Sequence, residues 1–252
     1  MKTYKFKKQA LVVALAGLST VAFLNAEEAY LSEDEFYYES VDEGIEVSDP
    51  FEGLNRYTFG FNDFLYRNVM DPIATTYTTI TPDTVEVAAN NFFDNLKYPV
   101  RLAGNLLQGR LQGAWVETRR FAINSTAGLG GVMTPADGVE GLAPIQPEDI
   151  GQALGAWGIG EGPYLVLPLL GPSNVRDFGG LIADRSVNPL KEPFSAIADW
   201  GWERELALDA TDFITSSPDA LERYRQLKNQ AIDPYSSLKN GYTQFRRNAV
   251  KE

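Results

Sequence analysis

No cysteine and no histidine occur anywhere in the 252 residues. Those two absences together remove disulfides, thiol nucleophiles, imidazole bases and most transition-metal sites. Positive charge is also scarce. Against 34 Asp and Glu stand 22 Lys and Arg, a net charge of −12, and the basic footprint that a nucleic-acid partner requires is missing. After the first 26 residues no continuous apolar run approaches the ~18 residues of a spanning helix, and the alternation of an outer-membrane barrel is lacking as well. Catalytic signatures are equally absent: no HExxH, no Walker loop, no GxSxG elbow, no EF-hand loop. Gly158-Ile159-Gly160-Glu161-Gly162 breaks the glycine order of a dinucleotide loop. Without histidine a hydrolase would need a Ser–Lys pair or two carboxylates, and no spacing locates either. The expectation is a binding or transport protein rather than an enzyme, with no cofactor.

What is present begins with an export signal. Lys2, Lys5, Lys7 and Lys8 precede the apolar run Ala10–Leu24, and cleavage is expected after Ala26, so residues 1–26 read as a secretory signal peptide. Losing those four lysines takes the net charge to −16. Residues 27–49 then carry ten acidic side chains and no basic one, which predicts a disordered acidic tether.

Residues 50–250 read as one helical domain. A helix over about 53–68 places Leu54, Tyr57, Phe61, Phe64, Leu65 and Val69 on one face and Phe59 and Tyr66 opposite, so it is either buried on both sides or touches lipid outward. Asp71-Pro72 is expected to end it. Further helices are predicted from Pro82-Asp83, across Val100–Leu111, over Gln112–Ala127, briefly from Asp149-Ile150, and from Ser173 or Asn174 to about Arg185. In the Gln112–Ala127 helix, Arg119 falls on an apolar stripe, where it must pair or snorkel. An amphipathic helix over 194–212, with Trp200 and Trp202, precedes a last pair that starts at Ser216-Ser217-Pro218 and after Asp233-Pro234. The chain end is basic: seven basic and three acidic residues lie in 222–252.

The most unusual stretch is Gly155–Asp177, GAWGIGEGPYLVLPLLGPSNVRD. Its glycines and prolines exclude a long regular helix. Tyr164, Leu165, Val166, Leu167, Leu169 and Leu170 are nevertheless too apolar for an exposed loop. Backbone of this kind is either a buried strand or core crossing, or it lines a cavity, because its amides need partners.

Four separated segments of the chain, LGAWGIGEGPYLVLPLLGPSNVRD, DPFEGLNRYTFGFN, RFAINSTAGLGG and DPYSSLKNGYTQFRR, resemble the VacJ/MlaA family of phospholipid-transport lipoproteins, in family order over roughly 49–247. The resemblance implies an all-α fold, a ring-shaped monotopic helical domain at the periplasmic face of the outer membrane, with the glycine/proline-rich segment lining a central channel. It implies a component that removes phospholipid from the outer leaflet, acts beside a trimeric porin, and passes lipid to a soluble periplasmic carrier. On that basis Gly158, Gly160, Gly162, Tyr164, Leu165, Leu167, Leu169 and Arg176 are candidates for the lipid channel. Phe59, Tyr66, Trp200 and Trp202 are candidates for membrane contact. The sequence departs from the family at the lipobox, since Glu27 stands where a lipidated cysteine is expected. A non-transporting scaffold with the same fold is the alternative.

Overall fold

The structure, a computed structural model, describes residues 46–188 and 202–251; for residues 202–206 and Asp219 the description is limited to the backbone. Helix predominates. The order is α1 (Glu52–Leu65), a π-helical turn (Tyr66–Met70), α2 (Asp71–Ile80), α3 (Asp83–Leu96), α4 (Tyr98–Leu107), α5 (Leu111–Thr126), a 3-10 turn (Pro135–Gly138), α6 (Ile150–Ala156), β1 (Tyr164–Leu167), β2 (Gly171–Asn174), α7 (Val175–Val187), α8 (Trp202–Gln230) and α9 (Pro234–Ala249). The all-α expectation holds, with one small antiparallel hairpin inside the glycine/proline-rich segment. Its register pairs Tyr164 with Asn174 and Leu167 with Gly171.

Side-chain caps start the helices that flank the hairpin. Asp149 accepts from the Gln152 amide at 2.6 Å to open α6, and Asn174 accepts from the Asp177 amide at 2.8 Å to open α7. Short helix α6 and α7 cross closely because glycine meets glycine. A Cβ placed on Gly180 would lie 2.4 Å from the Cα of Gly151.

Two prolines fail to stop their helices. Pro72 was expected to end the first helix, yet the chain stays helical from Glu52 to Ile80. The π-helical turn just ahead of the proline is the reason: the Asp71 amide bonds the Tyr66 carbonyl, and the widened turn makes room for the ring. Pro218 likewise lies inside α8, where a helix start was expected. Lacking an amide hydrogen, it leaves the Ile214 carbonyl without its usual partner. The Ser217 hydroxyl donates to that carbonyl at 3.1 Å instead.

The domain also begins earlier than the composition suggests. The acidic tether was expected to run to residue 49, but Val47 packs against the cluster of Tyr164, Val166, Tyr235, Tyr242 and Phe245, and the Asp49 side chain is only 4% exposed. Ser48 accepts from the Tyr164 amide at 2.9 Å, which ties this strap to β1. Asp49 accepts from Asn55 Nδ2 at 2.8 Å, from Lys239 Nζ at 3.1 Å and from the Tyr235 hydroxyl. These partners lie beyond the reach of a local reading of an acidic run. The signal segment and residues 27–45 lie outside the described residues.

Candidate functional site

Helix α1 has its polarity turned around. Asn55, Thr58, Asn62 and Asp63 are buried, whereas Leu54, Tyr57, Phe61 and Phe64 point outward, Tyr57 with 77% of its surface exposed. The broad apolar stripe is therefore the outer face. Phe59 and Tyr66, expected to touch the membrane, face inward instead. Tyr66 packs edge-on against Tyr224 with ring centroids 5.2 Å apart, and Phe59 against Tyr235 at 5.9 Å. The cause is the polar set between them, whose groups need partners that hydrocarbon cannot supply. Among the other membrane candidates, Trp200 lies outside the described residues, and of Trp202 only its place at the start of α8 is described.

The inward polar face of α1 holds the hairpin. Asn55 and Asn62, seven residues apart, lie on the same side of the helix, and each carboxamide both donates to and accepts from the main chain opposite. Asn55 Nδ2 donates to the Tyr164 carbonyl at 3.0 Å, and its Oδ1 accepts from the Val166 amide at 2.9 Å. Asn62 Nδ2 donates to the Leu167 carbonyl at 2.9 Å, and its Oδ1 accepts from the Leu169 amide at 2.8 Å. The two side chains stand in for a third strand along the free edge of the hairpin. Leu169, at the tip, has φ 68°, an unusual backbone for a leucine that the Asn62 clamp helps to hold.

Behind the hairpin lies a buried ion cluster. The Arg246 guanidinium, 4% exposed, bonds Asp149 through Nη1 at 2.6 Å and Asp177 through Nε at 2.9 Å. Arg176 lies 2.9 Å from Asp177, and the Tyr242 hydroxyl and Asn174 Nδ2 donate to the same carboxylate at 2.8 and 2.6 Å. Burial pushes Asp177 up, but Arg246, Arg176 and Tyr242 outweigh it and hold the carboxyl below its usual range. Burial and the facing Asp177 raise the Tyr242 hydroxyl. Two arginines and two aspartates balance, and three elements (α6, α7 and α9) are locked together.

The channel candidates separate on this geometry. Tyr164 is fully buried against Tyr235 and Tyr242, and Arg176 belongs to the ion cluster, so neither offers a free surface to a passage. Leu165 and Leu167 occupy the opposite side of β1 from Tyr164 and Val166 and are half-buried, as is Leu169. Gly158, Gly160 and Gly162 are exposed, and a Cβ on Gly158 or Gly160 would meet nothing within 4 Å. The residues missed by sequence reading are Asn55, Asn62 and Asp63. Their spacing is helical, but the surrounding aromatics dominate the periodicity of the stretch and hide it.

Outward apolar side chains continue around the molecule: Val69, Ile73 and Ile80 on the same run as α1, Leu111 and Trp115 on α5, and Trp157 after α6. Arg119, one turn beyond Trp115, is exposed and has no ion-pair partner among the described residues. No helix among them is long and apolar enough to cross a membrane.

The chain is 30% identical over 200 residues to the intermembrane phospholipid transport system lipoprotein MlaA of Escherichia coli, covering 78% of this chain and 76% of that protein. It is 29% identical to an uncharacterised protein of Rickettsia bellii over 96% of this chain and 93% of the other. A solved structure from work on the structural basis for maintenance of bacterial outer membrane lipid asymmetry superposes with a TM-score of 0.66 at 29% identity, covering 81% of this chain and 99% of that one. A family model described as MlaA lipoprotein matches residues 47–249, the strap through the last helix, and the chain belongs to that family.

Proposed function

We propose that the protein removes phospholipid from the outer leaflet of the outer membrane and passes it to a soluble periplasmic carrier, seated beside a trimeric porin, and so maintains lipid asymmetry. The observation that carries this reading is the reversed polarity of α1: aromatic and aliphatic side chains outward, carboxamides and a carboxylate inward. An apolar exterior suits the acyl region of one leaflet, in which the domain sits as a monotopic body. In this reading Leu165, Leu167 and Leu169 form one wall of the lipid path, and Gly158 and Gly160 leave the room a headgroup needs. The relatives named for phospholipid transport support the substrate class.

Native mass spectrometry of the full chain, released from membranes in mild detergent, tests the reading. The expected result is one phospholipid carried per protein, lost when Gly160→Trp fills the open space. Protein free of lipid in every preparation, with the fold intact, would favour a scaffold without passage.

A further inference from the structure

The loop after α5 displays apolar side chains from a backbone built to hold them out. Leu129 has φ 56° and 70% of its surface exposed, with Val132 and Met133 exposed beside it. A left-handed leucine without a buried side chain gains nothing from its own packing, so the surrounding loop must impose it. That loop is over-determined. The Gly130, Gly131 and Met133 amides donate to the Ser125, Asn124 and Gly128 carbonyls, each at 2.9 Å. Asn95 Nδ2 reaches the Gly130 carbonyl and Asn91 Nδ2 the Val132 carbonyl, both at 3.4 Å. A Cβ on Gly128 would stand 2.2 Å from the Met133 carbonyl oxygen, and one on Gly131 would stand 2.4 Å from Asn95 Cβ. Residues 121–136 contain no charged side chain. The side chains at the tip are apolar and exposed, three of its amides are bonded to carbonyls of the α5 end and of the loop itself, and the stretch carries no charge, so little opposes entry of those side chains into hydrocarbon.

We propose that Leu129, with Val132 and Met133, is a wedge that enters the acyl layer of a bilayer and fixes how the domain sits there. The inference rests on the membrane seating proposed above and adds the point of insertion. The partner is lipid rather than a protein pocket, because the whole tip, and not only its three side chains, is free of charge.

The chain has no cysteine, so a single Leu129→Cys variant carries an environment-sensitive NBD label at one site. With vesicles of phosphatidylethanolamine and phosphatidylglycerol, the label is expected to brighten and to be quenched by bromines on the acyl chains. Leu129→Asn is the companion variant, since asparagine accepts the left-handed backbone while removing the apolar tip. It is expected to keep the melting temperature of the parent and to weaken vesicle partitioning about tenfold. Leu129→Met should restore partitioning. A label that stays water-exposed on vesicle-bound protein, or Leu129→Asn that partitions like the parent, overturns the wedge and leaves the seating intact. Parent protein that ignores vesicles altogether overturns both.

Discussion

At the scale of the residue, two asparagines and one arginine carry the arrangement. Replacing Asn62 with leucine keeps the volume but strips the Leu167 carbonyl and the Leu169 amide of their partners. The expected cost is about 1–3 kcal/mol, and hydrogen exchange should report faster exchange at Leu169 while the α9 amides stay protected. Arg246→Met leaves Asp149 and Asp177 buried without their shared cation, with an expected loss of about 3–5 kcal/mol read by thermal unfolding. Three buried or part-buried carboxyls, Asp49, Asp63 and Asp177, are held below their usual range. Burial opposes the shift in each, and the bonds from Tyr235 and Asn55, from Lys228 and Tyr224, and from Arg246 outweigh it. A depressed carboxyl contributes fully above its unfolded value of about 3.9 and loses that contribution as pH falls through the folded value. Thermal stability is therefore expected to change little from pH 7 to pH 5 on account of these groups, and to fall steeply below about pH 4. Little of this was legible beforehand. The asparagines sit among aromatics that dominate any periodicity, and Arg246 lies 97 residues from Asp149, a separation that no local pattern spans.

Among the elements, the glycine/proline-rich stretch was legible as non-helical, apolar and in need of backbone partners, and it is a hairpin whose free edge is satisfied by side chains. The helix starts at Asp149, at Ser173 or Asn174 and at Asp233-Pro234 were equally legible, because short polar residues before helical runs act locally, and Asp149, Asn174 and Asp233 are the caps. The prolines misled for a physical reason: a π-helical turn at Tyr66–Met70 and a serine hydroxyl at Ser217 repair what Pro72 and Pro218 remove. Ser217→Ala should therefore cost about 1 kcal/mol in unfolding free energy, far more than a serine on an exposed helix face. The crossing of α6 and α7 makes a sharper case. Gly180→Ala forces a Cβ into the backbone of Gly151, and destabilisation of about 1–3 kcal/mol or more is expected by chemical denaturation.

For the whole molecule, hydrophobic patterning was legible but its direction was not. A two-sided helix states that both sides are used, and only the partners of its polar residues decide which side faces in. Those partners are the hairpin backbone for Asn55 and Asn62, and Tyr224 and Lys228 for Asp63. Once they are placed, Phe59 and Tyr66 close the core, while Leu54, Tyr57, Phe61 and Phe64 remain outside. A water-soluble helix buries its apolar stripe; this one exposes it and buries its hydrogen-bonding groups. The outside fits a lipid surface, and the interior is organised around a hairpin with glycines open on one side.

The measurement that tests this account most directly is outer-leaflet phospholipid in cells deleted for the gene and supplied with either the parent chain or Gly160→Trp, with protein abundance recorded alongside. Gly160 is exposed and a Cβ there meets nothing within 4 Å, so the variant should accumulate normally. The account predicts that the parent restores a phospholipid-poor outer leaflet and that Gly160→Trp, at equal abundance, does not. Restoration by both, at equal abundance, would contradict it.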